Sequence, residues 1–122
     1  MSSRFTKSQS HEALSPAMFH VLLALAGEDL HGYAILKEVE LRTGGKVRLS
    51  SGTLYGIIKR LLNDGLISER RGKPSGASDD ERRRYYRLTE LGRETAAAEA
   101  ERMESVLVIA RSRNLLTKLR TA

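Results

Sequence analysis

Between Ser51 and Asn63 the residues Leu54, Ile57, Ile58, Leu61 and Leu62 recur at i, i+3, i+4, i+7 and i+8, a spacing that lines one face of an α-helix and no face of a strand. The segment is therefore predicted to be a helix with one side against a core. Ser50 or Ser51 can cap its start, and Asn63-Asp64-Gly65 ends it. At about 100° per residue the opposite side carries Gly52, Gly56, Lys59 and Asn63, flanked by Thr53 and Arg60 on one edge and Tyr55 on the other. That surface is small, polar and basic. Each glycine costs the helix roughly 1 kcal/mol relative to alanine, a cost that close approach of another surface would explain.

The other segments fall into place around this helix. Residues 1–13 are polar and Ser-rich without a period, and read as a mobile arm carrying Arg4 and Lys7. Ser15 can accept from first-turn amides and Pro16 suits the first helical position. Met18, Phe19, Val21, Leu22, Leu23, Ala24 and Leu25 leave that helix little polar surface, so it is predicted to be mostly buried. A break at Gly27 to Leu30 precedes a second helix, which turns Ile35, Leu36 and Val39 inward and stops at Thr43-Gly44-Gly45. Lys46-Val47-Arg48-Leu49 alternates polar and apolar, the period of a short half-buried strand.

Leu66 to Arg71 and Arg82 to Leu88 read as two strands of a hairpin, joined by turn-forming residues from Gly72 to Asp80. Tyr85 and Tyr86 alternate along the second strand, so one of them faces the core. Thr89 can cap a last helix from Glu90 to near Leu119, on the order of 45 Å long and longer than a domain of this size is wide. Such a helix projects. Ala96, Ala100, Met103, Leu107 and Ala110 keep 4,3,4,3 spacing, and Val106 and Ile109 broaden the stripe. The simplest cover for it is the same helix of a second copy.

The 122 residues are 40% apolar and 30% charged, which suits one domain with its own core. There is no cysteine; disulfides, thiolate metal sites and cysteine nucleophiles drop out, and a reducing, cytoplasmic setting fits. The longest nearly apolar run, Phe19 to Ala26, is far short of the roughly 20 residues that cross a bilayer. Met1 to Leu14 lacks the apolar stretch of a secretory signal, so no membrane partner is expected. Catalysis finds no candidate residues. The phosphate-loop positions around Gly45-Lys46 hold Glu40 and Val47, the three histidines His11, His20 and His31 lack the H-E-x-x-H spacing of a metal site, and no G-x-S-x-G elbow occurs. Neither a metal nor a cofactor is expected. What stands out is charge: 21 Lys+Arg against 15 Asp+Glu, a net +6, which points to a polyanionic partner. Seven basic residues against four acidic ones fall between Leu66 and Leu88, on the predicted hairpin.

Helix, helix, short strand, helix, hairpin is the layout of a winged helix-turn-helix, in which the third helix enters the DNA major groove and the hairpin forms the wing. The expected fold is mainly α with a small β-hairpin, followed by a long C-terminal dimerisation helix. Residues 1–13 would form the arm, 14–89 the DNA-binding domain and 90–122 the dimerisation helix. The residues His31-Gly32-Tyr33, Leu49-Ser50-Ser51-Gly52-Thr53-Leu54-Tyr55, Gly65-Leu66-Ile67, Arg83-Arg84-Tyr85-Tyr86, and Leu88-Thr89 with Gly92 carry a resemblance. In order and spacing, from about Leu14 to Gly92, the chain resembles the PadR family of bacterial transcriptional regulators. Where family members often have proline after Thr-Leu-Tyr, Gly56 stands here.

The resemblance implies a homodimer that controls promoters, most simply as a repressor, by binding an inverted repeat in double-stranded DNA, with the C-terminal helices in contact. It places DNA contact at Ser51, Thr53 and Tyr55 and on the basic wing. Physical chemistry suits Lys59 and Thr53 to base edges, and Tyr33, Tyr55, Arg71, Lys73, Arg82 and Arg83 to phosphates. Tyr33 and Tyr55 fit equally well as packing residues at the domain edge with an outward hydroxyl. The dimer seam would be Ala96, Ala100, Met103, Val106, Leu107 and Ala110. No aromatic follows Tyr86 to stack on a flat ligand, so the sequence does not support a small-molecule effector; the place open to one is an apolar cavity between subunits lined by Met103 and Leu107. Two other readings fit the same residues: an interaction module whose basic wing meets an acidic protein, and a sensor released from DNA by a small apolar compound.

Overall fold

Ser15 starts the first helix, α1 (Pro16–Gly27), by accepting a hydrogen bond from the Met18 amide at 3.1 Å, with Pro16 at the first helical position. The computed structural model describes residues 14–71 and 84–116. Helix α2 (Gly32–Arg42) is capped by His31, whose Nδ1 accepts from the Ala34 amide at 3.3 Å. Helix α3 (Ser51–Asn63) is capped by Ser50, which accepts from the Thr53 amide. Both α2 and α3 end in the same way. Gly44 (φ +64°) and Gly65 (φ +77°) adopt the left-handed conformation, and the next residue reaches back, Gly45 to the Glu40 carbonyl at 2.8 Å and Leu66 to the Leu61 carbonyl at 3.0 Å.

The apolar stripes read from the sequence meet in one core. Val21, Leu22 and Leu25 of α1, Ile35 and Val39 of α2, and Leu54, Ile58 and Leu61 of α3 are all buried there. The sheet that closes it has three antiparallel strands in the order β1 (Leu30–His31), β3 (Arg84–Leu88), β2 (Ile67–Arg71). Tyr86 of β3 lies opposite Leu30 on one side and Glu69 on the other, and is the tyrosine that enters the core. Tyr85 takes the outer face, packing edge-on against His31 at 5.4 Å and under the Arg70 guanidinium at 5.1 Å.

Two expectations are corrected. Lys46 to Leu49 is not a strand, because Leu30 and His31 occupy the free edge of β3 that it would have needed. The Val47 amide instead bonds the Thr43 hydroxyl at 3.0 Å, and Val47 and Leu49 pack on the core without a ladder partner. The last helix, α4 (Glu90–Ser112), does not run to Leu119. Asn114 turns left-handed (φ 64°), and the Leu115 amide returns to the Ala110 carbonyl at 2.9 Å, a stop of the same kind as the two glycine ends. At 23 residues α4 spans roughly 34 Å.

Thr89 ties the start of α4 to the rest. Its hydroxyl accepts from the Gly92 amide at 2.9 Å and donates to the Gly65 carbonyl at 2.7 Å, while its amide donates to the Leu66 carbonyl at 3.1 Å. Thr89→Ala should lower unfolding free energy by about 1–2 kcal/mol in a denaturant titration, and Thr89→Ser should restore most of it. Beyond its first turns α4 leaves the core: Gly92 and Ala96 are buried, whereas Met103, Val106, Leu107, Val108 and Ile109 are exposed. On this outlying stretch the Arg102 guanidinium, hydrogen-bonded to Glu99, holds that carboxyl below its usual range.

Candidate nucleic-acid interface

Helices α2 and α3 form the helix-turn-helix, and burial of Leu54, Ile58 and Leu61 turns the other side of α3 outward. Ser51, Gly52, Thr53, Tyr55, Gly56, Lys59, Arg60 and Asn63 are all exposed. A side-chain carbon added at Gly52 or Gly56 would meet nothing within 4 Å, so neither glycine is needed for packing inside the chain. Lys59 carries no ion pair among the described residues, whereas its neighbour Arg60 is held by Asp64 at 3.7 Å. At the first turn the Ser50 hydroxyl reaches the Thr53 hydroxyl at 3.0 Å as well as its amide. Ser50 therefore orients Thr53, a role hidden in the sequence behind its capping function.

The expected phosphate contacts divide. Tyr33, one residue into α2, is 64% exposed, with the Lys37 ammonium 5.8 Å from its ring centre. Tyr55 is 49% exposed, yet the far end of its ring lies over Gly32, so close that a methyl group there would fall 2.8 Å from Cζ and overlap the hydroxyl. The phenol of Tyr86 is pushed up, chiefly by burial and then by the negative charge of Glu69 and the neighbouring Tyr55.

Arg71 ends β2 opposite Arg84; Lys73, Arg82 and Arg83 lie outside the described residues. At the base of the hairpin, two arginines are already engaged within the chain: Arg70 with Asp29 at 3.1 Å, and Arg84 with Glu69 at 2.8 Å. Of the expected seam residues, Ala96 belongs to the chain's own core, and the exposed stripe runs on through Ala100, Met103, Val106 and Leu107 to the partly covered Ala110. Among the described residues, no group of three metal-ligating side chains occurs and no helix is long and apolar enough to cross a membrane.

Comparison with known proteins agrees with this geometry. A transcriptional regulator of Mycobacterium tuberculosis is 35% identical over 88 residues, 71% of this chain and 75% of that one. Protein X of Lysinibacillus sphaericus is 33% identical over 73 residues, 60% of this chain and 64% of its own length. The chain spans less than two thirds of the length of two of the curated relatives it matches. Among solved structures, a transcriptional regulator from Clostridium thermocellum superposes with a TM-score of 0.65 at 25% identity, covering 81% of this chain and 96% of that one. The family model of the PadR-like transcriptional regulators matches residues 21–98. That match takes in α1 from Val21 onward, the helix-turn-helix, the sheet and the first turns of α4, and by it the chain belongs to the PadR-like family of transcriptional regulators.

Proposed function

We propose that this chain is a bacterial, cytoplasmic repressor that binds an inverted-repeat operator in double-stranded DNA as a homodimer. The observation that carries the reading is the outer face of α3. It is open at Gly52 and Gly56, lined by Ser51, Thr53 and Lys59, and free of any packing role inside the chain. A helix entering a major groove needs such a face, because close approach brings Lys59 and Thr53 to base edges. With α4 paired to its copy, the two α3 helices would meet half-sites roughly one helical turn, about 34–36 Å, apart.

The test is a binding titration with the DNA upstream of the chain's own gene, with and without excess nonspecific competitor. If each subunit neutralises about four phosphates, the logarithm of the binding constant should fall with the logarithm of salt concentration at a slope near −7. A flat salt response would remove the electrostatic basis of the proposal. Gly52→Ala and Gly56→Ala separate fold from function. Each should stabilise the free protein by up to about 1 kcal/mol, because alanine favours the helix and the added methyl meets open space. Each should also weaken operator binding at least about tenfold, since the methyl would stand between helix and groove. Unchanged affinity in both variants would put this face away from DNA.

A further inference from the structure

Gly32 is buried at the first position of α2, where its backbone φ lies outside the left-handed region and any residue would fit the helix. The three atoms nearest to a side-chain carbon at 32 all belong to Tyr55: the carbon would overlap the hydroxyl and fall 2.8 Å from Cζ and 3.4 Å from Cε1. Those atoms are the far end of a half-exposed side chain that can swing into solvent, so the fold itself does not require the gap. The gap decides where the phenol lies.

We propose that Gly32 is a positioning residue for DNA contact by Tyr55. Its missing side chain lets the ring lie across the first turn of α2, which holds the hydroxyl of this half-exposed side chain in one place at the edge of the outer face of α3. A hydroxyl held in one place is a ready donor to a backbone phosphate, and such contacts set the register of α3 in the groove. A ring left to rotate freely would offer the same hydroxyl at an entropic cost paid on binding. The inference rests on the DNA-binding reading above.

The experiment is a double-mutant cycle on Gly32→Ala and Tyr55→Phe, read by operator affinity at several salt concentrations and by melting temperature. Gly32→Ala should melt within a few degrees of the parent, because the ring moves aside, yet bind operator about tenfold more weakly. Tyr55→Phe should lose a similar factor and reduce the magnitude of the salt slope by less than one, since a neutral hydroxyl displaces no full charge. The double variant should be no weaker than Tyr55→Phe alone, because the alanine acts only through the hydroxyl. Three results would overturn the inference: full affinity in Gly32→Ala, multiplying losses in the double variant, or unfolding of Gly32→Ala that Tyr55→Phe does not relieve. A parent protein that binds no DNA would instead overturn the regulator reading, and this inference with it.

Discussion

Gly92→Ala should destabilise the chain by about 3 kcal/mol and lower its melting temperature by roughly 10 °C. The first turn of α4 lies directly over the end of the α3–β2 turn. A methyl at 92 would overlap the Leu66 carbonyl oxygen and fall 2.9 Å from its carbon, with Leu88 Cδ1 at 3.0 Å. Neither main chain can move aside. The Leu66 carbonyl already accepts from the Thr89 amide, and Thr89 also holds Gly65 and Gly92 through its hydroxyl. The same substitution should therefore act in opposite directions at different places, destabilising at 92 and stabilising at 52 and 56, because backbone fills the space in one case and nothing fills it in the others. Thermal melts of the three variants measure this directly, and a Gly92→Ala protein melting with the parent would contradict the packing of α4 on the α3–β2 turn.

Met103→Glu combined with Leu107→Glu should convert the proposed dimer to monomers and weaken binding to the proposed operator by a hundredfold or more. Both side chains are exposed in the single chain, so the charges disturb no core. In a paired α4 they would be buried against their counterparts, where unpaired carboxylates are not tolerated. Separation of the subunits turns one bivalent contact with the operator into two independent ones, and linkage of this kind is worth about 10²–10⁴ in affinity. Light scattering reads the mass, and titration with full operator and isolated half-site reads the binding, with the half-site expected to be unaffected. Val108→Glu is the matched control. Val108 is also exposed, more so than either, but stands on the side of α4 away from Met103 and Ala110, so a two-helix seam leaves it in water and mass and affinity should not change. A dimeric double variant, or a monomeric Val108→Glu protein, would move the seam elsewhere.

Legibility in the sequence followed the range of the interaction responsible. The Ser15 cap, the capping bond of Thr89 to Gly92 and the glycine at the end of α3 act within a few residues of themselves, and each is found where the sequence places it. The periodic stripes of α1, α2 and α3 likewise name the residues of the core. The end of α4 was within reach, since Asn114 is a residue type that turns left-handed with little penalty, but the apolar residues Leu115, Leu116 and Leu119 make the helix look longer than it is. Lys46 to Leu49 misled for another reason. Alternation shows that a segment can lie half-buried; it does not say whether a strand edge is free to receive it.

The sequence by itself determined the helices, the caps of α1, α3 and α4, the stops of α1, α2 and α3, most residues of the core, the hairpin strands and the polar, glycine-bearing side of α3, because all of these follow from periodicity or from bonds a few residues long. Only the tertiary structure decided that Leu30 and His31 take the sheet edge, that Gly92 must clear the Leu66 carbonyl, and that Tyr55 rests on Gly32, a residue 23 positions earlier. Each of these is a contact between parts of the chain distant in sequence, where one group takes a space that another would have filled, and no local pattern of residues records which of the two arrives.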